Sequence, residues 1–108
     1  MRYFQIEQEL PWQEADPKIE RQVYGYNDEL MMVKVKFEKG GIGAMHQHPH
    51  TQVTYVESGQ FELTIGNNKK ILSKGDGFFV PPGVLHSCVC LEAGMLIDCF
   101  TPMRADFV

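Results

Sequence analysis

Gly40-Gly41-Ile42-Gly43-Ala44-Met45-His46-Gln47-His48-Pro49-His50 sets three histidines within five residues, directly behind a glycine-rich turn. On an extended strand His46 and His48 alternate with single residues, so their imidazoles project from one face. Gln52 keeps the same parity, and a fourth histidine, His86, follows the turn Pro81-Pro82-Gly83, which can deliver it from a neighbouring strand. Three imidazoles and one side-chain oxygen are a donor set for a first-row transition metal. Imidazoles suit Zn, Ni, Fe or Cu. A neutral amide in place of a carboxylate leaves the site one charge more positive, hence a stronger Lewis acid towards an anion. His50 shares parity with His48, but Pro49 redirects the chain, so His50 is expected at the rim.

Outward from this stretch the chain alternates apolar and polar residues in strand-length segments. Met31, Val33, Val35 and Phe37 fall on one face and Lys34 and Lys36 on the other. Val53–Val56, Phe61–Ile65, Lys70–Leu72, Phe78–Val80, His86–Cys90 and Met95–Phe100 read similarly. Turn formers separate them, among them Ser58-Gly59, Gly66-Asn67-Asn68, Gly75-Asp76-Gly77 and Ala93-Gly94. Gly66-Asn67-Asn68 suits a tight hairpin with positive φ. Only Gln13–Arg21 is compatible with a helical turn or two. The expected fold is therefore all-β, a sandwich or closed barrel. Pro11 and Pro17 bracket an N-terminal arm, residues 1–18, lying across a barrel formed by residues 19–108 or across a partner subunit.

The chain's 108 residues suit a single domain. A net charge of -4 without a Lys/Arg cluster argues against nucleic acid as a partner. No apolar run approaches membrane-spanning length. The N-terminus is too charged for a signal peptide, and three cysteines without a C-x-x-C spacing fit free thiols, so the cytoplasm is expected. The arm and an exposed sheet edge point to a homodimer.

Two spaced motifs carry a family resemblance. The first runs from Gly40 through His46-x-His48 and Gln52 to Gly59; the second runs from Gly75 through Pro81-x-Gly83 to His86. Together they resemble the cupin superfamily, whose members form jelly-roll β-barrels with a metal in the mouth. Gln52 replaces the usual glutamate and Cys90 the usual closing asparagine. The chain also resembles, along nearly its whole length, the small single-domain pectin-degradation cupins. The segments that carry this are Leu10-Pro11-Trp12, Leu30-Met31-Met32-Val33, His46-x-His48-Pro49-His50-x-Gln52 and Asp98-x-Phe100-Thr101-Pro102-x-Arg104-x-Asp106-Phe107. Glutamine at the ligand position is what this narrower group shows.

The resemblance implies a single cupin jelly-roll domain holding a divalent transition metal (Ni, Zn, Fe or Mn) on His46, His48, Gln52 and His86. It also implies a small anionic sugar substrate, a 4,5-unsaturated uronate converted to the linear 5-keto-4-deoxyuronate. That reaction moves protons, and the resemblance puts Asp98 in that role, with Arg104 anchoring the substrate and Phe100 as a sugar-facing wall. From the residues alone, Asp98 inside Met95-Leu96-Ile97-Asp98-Cys99-Phe100 is equally an edge-strand aspartate facing solvent. Arg104 is equally a surface arginine and Phe100 plain core. Cys88 and Cys90 read as small buried hydrophobes, Trp12 and Tyr3 as packing residues, and Tyr55 as outward-facing. A cupin dioxygenase using a redox metal and a metal-independent binding module are the competing functions, since one barrel hosts many activities.

Overall fold

The computed structural model describes residues 2–108 and contains eight strands. They are β1 (Trp12–Asp16), β2 (Ile19–Tyr26), β3 (Met31–Phe37), β4 (Ile42–His46), β5 (Thr51–Ile65), β6 (Asn68–Ser73), β7 (Gly77–Val80) and β8 (His86–Thr101). All pairings are antiparallel. The path runs β1-β2-β3-β8-β5-β6, with β4 also on β8 and β7 also on β5.

The expected strands at 53–56 and 61–65 are one long strand, β5, and those at 86–90 and 95–100 are one long strand, β8. Ser58-Gly59 and Ala93-Gly94, expected as turns, form a corner where the β5–β8 register shifts but the pairing continues. The backbones meet there face to face. A Cβ on Gly94 would lie 2.1 Å from the Ser58 carbonyl oxygen, and one on Gly59 would lie 2.6 Å from that of Glu92. Only glycine fits on both sides.

Because both long strands bend at this corner, each contributes to two layers. One layer is β1, β2, β3, the second half of β8, the first half of β5, and β7. The other is β4, the first half of β8, the second half of β5, and β6. The hydrogen-bond path thus stays open, a jelly-roll sandwich where a closed barrel was expected. The core joins the layers: Ile19, Phe37, Val56 and Leu96 from the first pack with Phe61, Leu63 and Cys90 from the second. Phe37 and Phe61 meet edge to face at 5.1 Å.

The N-terminal third departs furthest from expectation. Gln13–Arg21 is a hairpin, β1 turning into β2 through Pro17-Lys18, with Lys18 at φ 67°. Its alternation of Ile19, Arg21 and Val23 against Glu20 and Gln22 is a strand period that proximity to polar residues obscured. The arm expected over residues 1–18 consequently gives up residues 12–16 to the sheet. The segment before them is tied to the outer face: buried Gln22 donates to the Glu7 and Leu10 carbonyls at 2.8 and 3.0 Å, and Lys34 pairs with Glu7. Tyr3, expected to pack, is 83% exposed. Trp12 lies half-buried beneath the Lys36 ammonium. The hairpin at Gly66-Asn67 is as expected, with Gly66 at φ 57°. No helix is long and apolar enough to cross a membrane among the described residues.

Candidate metal centre and the carboxyl beside it

His46 ends β4 and pairs across the sheet with His86, which opens β8. His48 is not on a strand: β4 stops at His46, and the chain turns through Pro49 before β5 begins at Thr51. The parity shared by His46, His48 and Gln52 is therefore not what gathers them. The turn folds His48 back over the start of β5, and its Nε2 lies 3.0 Å from Gln52 Oε1. The ligating nitrogens of His46, His48 and His86 all lie within 4.8 Å of one another. His46 and His86 ring centroids are 4.2 Å apart, and His48 and His86 4.8 Å.

Each ring is oriented by a carbonyl two residues away. His46 Nδ1 meets the Ala44 oxygen at 2.7 Å, His86 Nδ1 the Val84 oxygen at 2.9 Å, and His48 Nδ1 the His50 oxygen at 3.2 Å. A carbonyl only accepts, so Nδ1 carries the hydrogen at each such contact and Nε2 presents its lone pair. Burial pulls the His48 and His86 pKa values down, favouring the neutral ring that ligates metals. Two features fit a cation. His86 Nε2 is buried with no hydrogen-bond partner. On His48 both ring nitrogens face an acceptor oxygen, which a neutral imidazole with one hydrogen cannot satisfy. These three histidines are a potential metal site. His50 is turned away, its Nε2 donating to the Met103 carbonyl at 3.1 Å.

Gln52 couples this cluster to a buried carboxyl. Its amide nitrogen donates to Thr54 Oγ1 at 3.0 Å and to Asp98 Oδ1 at 3.3 Å, while Thr54 Oγ1 donates to Asp98 Oδ1 at 2.5 Å. Asp98 does not face solvent from an edge strand. It is 8% exposed on β8, flanked by β3 and β5, with Thr54 as its cross-strand neighbour. Burial raises its pKa to about 6, against the opposing pull of hydrogen bonds from Thr54 and Gln52 and the nearby Arg104 charge. A carboxyl near that value exchanges protons in either direction at neutral pH.

Gln52, Asp98, His46 and His86 open into one cavity of about 350 Å³, walled also by Phe100, Phe107, Arg104 and Arg21. Phe100 is both wall and core: it packs with Met31 and Val33 and meets His48 at 5.8 Å. Arg104 is no loose surface arginine. Its Nε and Nη2 donate to both oxygens of Asp106 at 3.0 and 2.8 Å, and its guanidinium lies over Phe107 at 4.3 Å. Cys88 lines the cavity with its thiol pushed up by burial to about 11, so it stays protonated, while Cys90 is plain core.

The paired signature of β4–β5 and β8 is matched by a family profile described as cupin domain over residues 33–97. The chain is a cupin. It is 44% identical over 110 residues, all of both chains, to the pectin degradation protein KdgF of Dickeya dadantii (strain 3937). The solved structure of KdgF from Halomonas sp. superposes with TM-score 0.94 at 39% identity over all of both chains. An RmlC-like cupin from Shewanella frigidimarina NCIMB 400 gives TM-score 0.97 at 42% identity, over 100% of this chain and 97% of that one. Within the cupins, the chain belongs to the pectin-degradation group.

Sequence reasoning passed over two residues of this cupin's site, Thr54 beneath Asp98 and Arg21 on the cavity wall. Thr54 shares strand parity with Gln52, the signal that would have found it. Arg21 alternates with Ile19 and Val23, a charge on an apolar strand face, and was masked by the helical reading of Gln13–Arg21.

Proposed function

We propose that this cupin is a metal-dependent, non-redox ring-opening enzyme, a lyase or isomerase. It converts 4,5-unsaturated uronate monosaccharides to linear 5-keto-4-deoxyuronate. The observation that carries the reading is the hydrogen-bonded run from His48 through Gln52 to Asp98, ending in a buried carboxyl poised near neutrality. The relationship to the pectin degradation protein of Dickeya dadantii supports the substrate class.

His46, His48, Gln52 and His86 would hold a divalent cation, whose positive charge would stabilise negative charge developing on the substrate's oxygens. Asp98 takes the proton of the anomeric hydroxyl. The new carbonyl forms at carbon 1 as its bond to the ring oxygen breaks, and the electron pair stays on that oxygen as an enolate. Asp98 then returns the proton to carbon 4, leaving a ketone at carbon 5. One proton moves and nothing is oxidised. Arg104 holds the substrate's anionic end and Phe100 forms the wall against which the sugar lies.

Nickel, zinc, iron or manganese serves this role, because no electron transfer is required. Unpaired Cys88, Cys90 and Cys99 support a cytoplasmic setting. The homodimer rests on the outer sheet face, where Met32, Val53 and Phe79, exposed with Tyr55, form one apolar row across β3, β8, β5 and β7. Such a face is self-complementary about a two-fold axis. Light scattering is expected to report a dimer that Val53→Glu dissociates, and a monomeric wild type would overturn the homodimer.

The central test follows the conjugated enol-ether absorbance on adding pectin- or alginate-lyase products, with and without chelator. Loss of absorbance that chelation stops and added metal restores is expected. Full turnover after exhaustive chelation, or oxygen uptake in place of absorbance loss, overturns the reading.

A further inference from the structure

Arg104, the cation that the sequence singles out, has two of its nitrogens already committed to Asp106. A second guanidinium lines the same cavity with far less to do. Arg21 projects from β2 on the interior face shared with Ile19 and Val35, and its Nε donates to Gln13 Oε1 at 3.2 Å. Its terminal nitrogens have no hydrogen bond or ion pair among the described residues. Its plane is held nonetheless: the guanidinium lies 3.9 Å from the Phe107 ring centroid, the ring that Arg104 also covers.

An inward arginine on an apolar strand row costs desolvation, which the nearby Asp106 and Asp16 charges offset only in part and which a ligand's acceptors would relieve. A guanidinium on a cavity wall, fixed by stacking and by one Nε bond and with both terminal nitrogens unpaired, is the fork that takes a carboxylate bidentately. We propose that Arg21 is a specificity-determining residue that binds the carboxylate of the sugar, with Arg104 completing the cationic wall across Phe107. The inference rests on the uronate reading above. It adds that discrimination between an acidic sugar and its neutral counterpart resides on β2, remote from the histidine motif.

The test compares wild type, Arg21→Gln and Arg21→Lys in the metal-loaded full chain. Unfolding temperature verifies that each is folded. For the unsaturated uronate, KM rises roughly 10- to 100-fold in Arg21→Gln, the scale of a lost charge-assisted bond. kcat changes much less, and Arg21→Lys recovers part of the loss. Calorimetry with galacturonate and with galactose reads the same contact without turnover. Wild type prefers the acid, and Arg21→Gln narrows that preference, Arg104 retaining the remainder, while galactose binding is unaltered. An unchanged KM in folded Arg21→Gln, or a wild type that binds the two sugars alike, overturns the assignment. If wild type turns over no uronate yet galacturonate binding still depends on Arg21, the ring-opening reading fails and the carboxylate site stands.

Discussion

The interior of this cupin is lined from end to end by the same two strands, yet its halves are opposite in chemistry. Near the glycine corner, β5 contributes Val56, Phe61 and Leu63 and β8 contributes Cys90 and Leu96, all buried among themselves. Towards the open end, the same strands contribute Gln52 and Thr54, and His86, Asp98 and Phe100. The corner half obtains stability from area removed from water. The open half holds buried polar groups, some of them with incomplete hydrogen-bonding partners, and it tolerates them because the corner half supplies the fold. Stability and chemistry are thus divided along the length of a strand.

Breaking one half should leave the other intact. Asp98→Asn is expected to cut turnover of the unsaturated uronate by roughly 10²- to 10⁴-fold, the contribution of a positioned acid–base group. Metal content, checked by elemental analysis, stays full. Phe61→Ala is expected to lower stability by about 3–5 kcal/mol in denaturant titration, with turnover per folded molecule unchanged. A large loss of turnover there would mean that the halves are mechanically coupled.

Metal retention sharpens the contrast inside the open half. His86→Ala is expected to lose metal during dialysis to a greater degree than Gln52→Ala, because an imidazole nitrogen is the stronger donor. Equal and full occupancy in both would remove these residues from the ligand set.

The pH dependence of stability carries a definite sign. The folded Asp98 carboxyl holds its proton more tightly than the unfolded one, at about 6 against an ordinary 3.8. Protonation therefore favours the folded state, and that contribution is lost as pH rises through about 6. In chelated protein, Asp98→Asn should exceed wild type in stability above that point by on the order of 2–3 kcal/mol. The advantage should close as pH falls from about 6 towards 3.8. A pH-independent gap would show that the carboxyl is not carrying this cost. The smallest expected effect is at Thr54, a positioning residue for Asp98. Thr54→Val should lower kcat by about 10-fold, the order of one lost hydrogen bond to a charged group, with KM little changed. Thr54→Ser should restore it.

Much of this division was legible beforehand. The all-β class, β3, β6, β7 and the hairpin at Gly66-Asn67 follow from period-two alternation and turn chemistry. The residues His46, His48, Gln52 and His86 follow from spacing. What sequence hid has physical causes. Gly59 and Gly94 look like turn residues because the same lack of a Cβ serves a turn and a close backbone approach equally. His48 and Gln52 seemed related by strand parity, whereas a turn at Pro49 relates them. Asp98 could not be distinguished from an edge aspartate, because that depends on β3 and β5 flanking β8, a property of topology. Arg21 remained hidden since its alternation begins at Ile19, immediately after the turn at Lys18.

The abutting glycines at positions 59 and 94 also matter to anyone wishing to remodel this scaffold. With no room for even one methyl on either side, neither position admits an alternative residue, and mutating both together only doubles the clash. Randomised libraries should leave that pair untouched. Diversity belongs on the cavity wall at Arg21, Phe107 and Cys88, while inserted reporter peptides belong at the Gly66-Asn67 tip, where an added Cβ meets nothing nearer than a Val84 methyl at 3.9 Å.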